Sequence, residues 1–201
     1  MAYTSTSRKD TPQVLSAKPM IKVDWRDGRI EGAEVAESLK MLGQLDGLFE
    51  DRDAFQRMSS ATVVYRVQRW SPAPEGTEGG LSWGTTVVEP GTVGREYFMT
   101  HGHFHAKRDR TEFYATVSGG GALLLMDENR KTWMEKMMPG SLHHIPRGTA
   151  HRVANTGADS LRFVACWPSD AGYDYDSIRK LGFSARLLCI DGAPTLVRSA
   201  T

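Results

Sequence analysis

Cysteine is scarce in this chain: there are two in 201 residues, Cys166 and Cys189. Both fall in apolar, strand-like runs, Phe163–Trp167 and Leu187–Ile190, so they read as buried free thiols and not as a disulfide framework. Such sparing use fits a reducing cytosol. No apolar run approaches the roughly 18 residues of a membrane span. The first ten residues lack the apolar core of a secretory signal. A cytoplasmic protein with no membrane contact is therefore expected. An excess of one charge is missing too: 25 Lys and Arg stand against 24 Asp and Glu, a formal net charge of +1. General nucleic-acid and acidic-membrane binders need a basic surface, so neither partner is expected, and any anion must be recognised by local groups. The length suits one domain and buries a core without disulfides.

Helical periodicity is also rare. Val35, Leu39 and Leu42 fall at helical spacing and Gly43 follows as a stop, which predicts a helix over 33–42 on the outside of the molecule. Asp51 to Met58 is a second short helix or turn. Beyond it the chain is a series of short β-branched and aromatic runs broken by Gly and Pro: 61–70, 81–88, 96–100, 112–117, 122–126, 131–137, 142–145, 151–155, 161–167, 185–190 and 195–198. That spacing predicts an all-β sandwich or barrel of two antiparallel sheets. Residues 1–17 read as a polar, weakly ordered arm before a single domain over 18–201. Gly119-Gly120-Gly121 has no helix and no Lys-Ser/Thr after it, so it reads as a hairpin turn and not as a phosphate loop.

All six histidines lie between positions 101 and 151. In an extended segment, side chains alternate faces, so His103 and His105 point the same way. Glu112 and His151 can close the set from neighbouring strands. Three imidazoles and a carboxylate suit a divalent transition ion such as Fe²⁺, Mn²⁺, Ni²⁺ or Zn²⁺. Two same-face histidines alone are as well explained by a wet strand face; it is the company of Glu112 and His151 that favours a metal. His143 and His144 fall on opposite faces of one strand and receive no catalytic role.

The stretch Gly140, Pro146, Gly148, His151, Asn155 resembles the second cupin motif at every position. The stretch His103, His105, Glu112, Gly119 resembles the first, with two departures. Six residues separate His105 from Glu112, where cupins usually have three or four, and Tyr97 stands where a glycine is usual. The longer spacing, with Thr100, Gly102 and Tyr114 around it, is similar to the cupin-type glucose-6-phosphate isomerases of archaea and some bacteria. The similarity extends through Val23-Asp24 to Ala33, Gly84 to Val87 with Pro90 to Gly94, Pro168 to Tyr175, and Ile178 to Ser184, covering roughly residues 21–190.

The resemblance implies a cupin β-barrel and the interconversion of glucose 6-phosphate and fructose 6-phosphate. It implies one divalent metal ion per chain, iron foremost, held by His103, His105, Glu112 and His151. Glu112 is implied as the base of an enediol path, with Tyr114 beside it. Thr86, Thr100, Gly102 and Tyr175 are implied as phosphate contacts. Read from the residues alone, Tyr114 is equally a core tyrosine and Thr86 an ordinary strand threonine. Tyr65 is a candidate pocket wall, and Trp167 and Tyr173 mark places where sugar contacts differ from the family's. A homodimer is expected, with an exposed strand over 21–24 as a participant. The competing readings are an iron cupin dioxygenase and a non-enzymatic sugar- or metal-binding cupin.

Overall fold

Short runs of Val, Leu, Tyr and Trp separated by turn residues can hide their apolar side only by pairing into sheets and stacking them. The computed structural model describes residues 18–199 and shows this outcome; the expected N-terminal arm lies outside the described residues. In chain order the elements are β1 (Ile21–Val23), β2 (Ile30–Gly32), β3 (Ala36–Met41), a 3₁₀ turn (Leu42–Leu45), α1 (Arg52–Arg57), β4 (Val63–Trp70), β5 (Leu81–Val88), β6 (Thr92–Val93), β7 (Glu96–Tyr97), β8 (Glu112–Ser118), β9 (Gly121–Met126), β10 (Thr132–Met137), β11 (Leu142–Ile145), β12 (Ala150–Asn155), β13 (Leu161–Pro168), α2 (Asp176–Leu181), β14 (Ala185–Ile190) and β15 (Ala193–Arg198).

One layer is a six-stranded sheet in the order β11-β8-β13-β5-β4-β3. The other combines β10-β9-β12 with β15-β14-β7-β6. The segment after β7 links these two parts: Thr100 N–H donates to Val153 O at 2.8 Å, and Asn155 N–H donates to Phe98 O at 3.0 Å. All the paired strands run antiparallel. β9 and β12 are buried along their whole length, which is why Gly-Ala-Leu-Leu-Leu-Met does not alternate. Truncating a fully buried side chain such as Leu125 to Ala removes about 2–5 kcal/mol. A single apolar core draws on both layers, from Val64 and Phe163 on one to Leu123, Leu125 and Val153 on the other.

The expected helix over 33–42 is not formed. Residues 36–41 make β3, the edge of the six-stranded sheet, paired with β4 from Ala36↔Arg69 to Met41↔Val63. The reason is tertiary: of the three apolar residues at helical spacing, only Leu42 is buried, and Leu39 remains 43% exposed. There is no core face for a helix to cover there, whereas β4 offers an open row of backbone donors and acceptors. The second expectation holds, since α1 forms with the Asp51 carboxylate accepting from Ala54 N–H at 2.8 Å. The turn of helix α2 was not anticipated. β1 is not a lone edge strand; it pairs with β2, and the hairpin lies on the six-stranded sheet through Trp25 edge-on to Trp83, Thr85 Oγ1 donating to Gly28 O and Gln68 Oε1 accepting from Ile30 N–H.

Candidate functional site

His103 and His151 are brought together by backbone pairing. His103 and His151 form an isolated antiparallel bridge, with N–H···O distances of 3.2 and 3.0 Å in the two directions. Their rings stand 4.5 Å apart. His105 follows on the same side, its ring 5.8 Å from His103 and 5.2 Å from His151. The alternation expected of a strand therefore holds, although residues 101–105 form only bridges and no continuous strand. The three imidazoles offer nitrogens that all lie within 4.8 Å of one another. Glu112, the first residue of β8, points its Oε2 between two of them, 3.2 Å from both His105 Nε2 and His151 Nε2.

The groups are polarised for ligation. Burial and the neighbouring imidazoles His151, His105 and His101 push His103 well below its ordinary value, so it is a neutral ring with a free lone pair. Burial opposes charge on His105 as well, but the hydrogen bond and charge of Glu112 outweigh it and raise this imidazole. Glu112 is raised by burial and lowered more strongly by its hydrogen bond with His105 and by the close imidazole of His151, so the carboxylate stays ionised. His103 Nε2 and His151 Nε2 are buried with no hydrogen-bond partner; the short His151–Glu112 distance lacks hydrogen-bond alignment. Orphaned, converging imidazole nitrogens beside a carboxylate fit a divalent ion.

The six-residue spacing between His105 and Glu112 has a structural use. The intervening residues form a loop whose Arg110 carbonyl accepts from His105 Nδ1 at 3.0 Å, leaving Nε2 to face the site. Arg110 is held by a two-pronged contact with the buried Asp170 carboxylate, Nε–Oδ1 3.0 Å and Nη2–Oδ2 2.7 Å, and Lys107 adds a third bond at 2.7 Å. Arg108 pairs with Asp174 at 2.5 Å and lies 4.0 Å over the Phe104 ring. The loop is thus tied to segment 170–175, which carries Tyr173 and Tyr175 into the pocket as a stacked pair with ring centroids 5.7 Å apart.

The pocket in front of these groups has a volume of about 310 Å³. Its lining includes His103, Glu112 and His151 together with Tyr114, Thr86, Thr100, Gly102 and Tyr175, so every metal or substrate residue expected from the sequence except His105 faces one cavity. Tyr65, Trp167 and Tyr173 also line it. Tyr114 is buried behind Glu112; burial first and the Glu112 charge second hold its phenol well above 10, so it stays a donor. His143 and His144 do lie on opposite faces of β11: His143 is buried against Glu135 and Ser141, and His144 stacks near Phe113, with neither in the pocket lining. Sequence reading missed Ser38 and Lys40 on β3, and Arg69 on β4, which also line the cavity. Strand alternation along β3 would have revealed the first two had that segment not been read as a helix.

Residues 39–201 match the family model described as glucose-6-phosphate isomerase (GPI). The chain belongs to this family. Glucose-6-phosphate isomerase of Pyrococcus horikoshii is 42% identical over 167 residues, 82% of this chain and 86% of that one. The enzyme of that name from Thermococcus kodakarensis is 40% identical over 179 residues, 88% of this chain and 92% of that one. Among solved structures, an oxalate oxidase aligns over 57% of this chain and 56% of its own with a TM-score of 0.47 and 18% identity. A likeness that distant bears on neither substrate nor mechanism.

Proposed function

We propose that this member of the glucose-6-phosphate isomerase family interconverts glucose 6-phosphate and fructose 6-phosphate, using one divalent metal ion bound by His103, His105, Glu112 and His151. The observation that carries the reading is the shared cavity: buried, unpartnered imidazoles meet a carboxylate in the same pocket as hydroxyl and backbone donors suited to a phosphate. Iron is the first candidate, with manganese, nickel and zinc next, because imidazole and carboxylate ligands suit all four. When bound, the ion supplies Lewis-acid polarisation of the sugar carbonyl and its neighbouring hydroxyl.

The chain's own groups do the rest. Thr86, Thr100, the Gly102 N–H and Tyr175 hold the phosphate and so place C1 and C2 of the open-chain sugar beside Glu112. Glu112 Oε1, which takes no part in the contacts to His105 and His151, removes the proton from C2 of the aldose. The resulting enediolate passes its 2-hydroxyl proton to O1 as the C2 oxygen becomes the carbonyl, receives a proton from Glu112 at C1 to give the ketose, and the carboxylate returns to its starting state. Tyr114 donates to the sugar or to the glutamate. Tyr173 and Trp167 exclude water from the upper wall. A hydride shift between C1 and C2 is the second path and needs no base.

The test is a coupled assay of the purified chain with fructose 6-phosphate, before and after EDTA. Formation of glucose 6-phosphate that stops with EDTA and returns with added Fe²⁺ or Mn²⁺ supports the reading; absence of turnover with every metal overturns it. For the base, metal-replete Glu112→Gln is expected to lose about 10²–10⁴-fold in kcat, and the wild type is expected to incorporate deuterium from D₂O. Full activity in the variant without exchange would assign the hydride shift. No described helix is long and apolar enough to cross a membrane. We further propose a cytoplasmic homodimer, which light scattering of the purified protein checks.

A further inference from the structure

Arg152 follows the ligand His151 on β12 and points to the opposite face, away from the pocket. It is 4% exposed, yet it takes part in no ion pair among the described residues. The nearest acid that influences it, Glu96, is already engaged by Arg186 at 2.9 and 3.0 Å. The guanidinium is held instead by weaker or neutral groups. Nη1 lies 3.2 Å from Met99 Sδ, the plane lies 4.3 Å over the Phe183 ring, and Nε has no partner. Its one strong bond is from Nη2 to the carbonyl of His101 at 2.7 Å. A buried cation without a counter-charge is costly and calls for an explanation outside the core.

The bond to His101 fixes more than one atom. The 101–102 peptide is trans, as are all those described, so its carbonyl and its N–H point in opposite directions. With the carbonyl turned outward to Arg152, the Gly102 N–H is turned inward, to the cavity that Gly102 lines. Gly102 has φ of +76°, and a Cβ there would lie 2.9 Å from both Cβ and Nε of Arg152. Only glycine lets the arginine sit this close behind the peptide. Next to it, Thr100 Oγ1 already accepts from Val153 N–H at 3.0 Å, which leaves its hydroxyl proton to be given. Two residues with a donor to give therefore line one cavity, with a buried positive charge behind them.

We propose that Arg152 is the positioning residue of a phosphate cradle: it locks the His101–Gly102 peptide with its N–H toward the cavity and supplies the charge that the substrate's phosphate balances. This inference rests on the sugar-phosphate reading above. It adds a residue on the far side of the sheet that never touches the substrate.

The experiment uses the full chain loaded with zinc, which is diamagnetic, and follows the Gly102 amide by ¹⁵N NMR while inorganic phosphate is added. Alongside it, KM and kcat for fructose 6-phosphate are measured in the metal that gives most activity. In the wild type the Gly102 amide shifts with phosphate. In Arg152→Met, at unchanged metal content, the phosphate Kd and the KM rise about 10- to 100-fold, the effect of losing a charged hydrogen bond, while kcat changes by less than about threefold. Arg152→Lys keeps the charge but not the stacked, two-handed grip, and falls between. A merely structural role would lower the melting temperature and leave phosphate affinity alone. Unchanged phosphate Kd in folded, metal-loaded Arg152→Met overturns the proposal. If that variant does not fold, Arg152→Lys and the wild-type Gly102 signal decide, and an amide that ignores saturating phosphate overturns it as well. Wild-type protein that binds phosphate at Gly102 but isomerises nothing removes the isomerase reading and leaves the cradle standing.

Discussion

The two ends of the pocket are made from different material. The end at His103, His105, Glu112 and His151 is made of side chains: four titratable groups from two bridged segments and one strand. The end at Thr100 and Gly102 is made of a hydroxyl and an oriented peptide, with a buried arginine out of sight. A metal ion needs lone pairs, which only a few residue types carry. A phosphate needs N–H and O–H donors, and the backbone itself carries N–H groups. The first end depends on residue type at four positions, the second on a hydroxyl, a glycine and the path of the backbone.

The largest expected break comes from the end proposed to hold the metal. His151→Ala removes one of the orphaned nitrogens and is expected to lower bound metal to below a tenth of an equivalent after dialysis, with activity down by at least about 10²-fold, as loss of a catalytic group's support typically gives. Metal analysis and steady-state rates check it, and retention of a full equivalent would remove His151 from the ligand set. At the other end, Thr86→Val keeps shape and removes one donor. KM is expected to rise about 10- to 100-fold, the worth of one hydrogen bond to a charged group, with metal content and kcat little changed. A change confined to kcat would place Thr86 at the chemistry instead.

A smaller effect sharpens the comparison from outside the pocket. Asp170 is held well below the ordinary carboxylate range, first by its hydrogen bonds from Arg110 and Lys107. A depressed folded value means that its contribution to stability is complete above its unfolded value near 3.9 and declines as pH falls below it. Asp170→Asn is therefore expected to destabilise the chain at neutral pH and to flatten the loss of stability below about pH 4 relative to wild type. Thermal melts from pH 3 to 7 measure both. A parallel pair of curves would show that the Arg110 loop is held without this charge.

The same contrast explains what could be read in advance. The cluster of imidazoles was legible because histidine is rare and confined to one stretch: six, all between 101 and 151. The strands β5, β11 and β14 were legible to the residue, because Gly, Pro or a change in polarity brackets each apolar run. β3 was not, since Val35, Leu39 and Leu42 satisfy a helical period by coincidence, and only the neighbouring β4 edge decides against it. Lys40 and Ser38 were lost with that strand. Arg152 was illegible for another reason: nothing in Ala-His-Arg-Val states that its guanidinium turns back to a carbonyl fifty-one residues earlier. The excess length between His105 and Glu112 was visible, but its use was not, because the partner Asp170 lies sixty residues further on.

The glycine run between β8 and β9 is not the hairpin turn expected from the sequence, because β8 and β9 belong to different sheets and the run carries the chain from one to the other; it looks like one motif repeated three times, but its members are unequally constrained. At Gly119 a methyl group would lie 2.5 Å from the Ser160 carbonyl on a backbone with φ of +80°, and at Gly121 it would lie 2.4 Å from the Ala154 carbonyl and from Leu161. At Gly120 it would meet nothing within 4 Å, and the backbone there is not left-handed. In a library randomised over these three codons, the outer two should return almost only glycine and the middle one a broad alphabet, with Gly120→Ala gaining about 0.4–1 kcal/mol through a stiffer unfolded chain. The middle position is thus a free handle on an otherwise closed barrel, a place for a fluorophore or a surface tether that no binding group would feel.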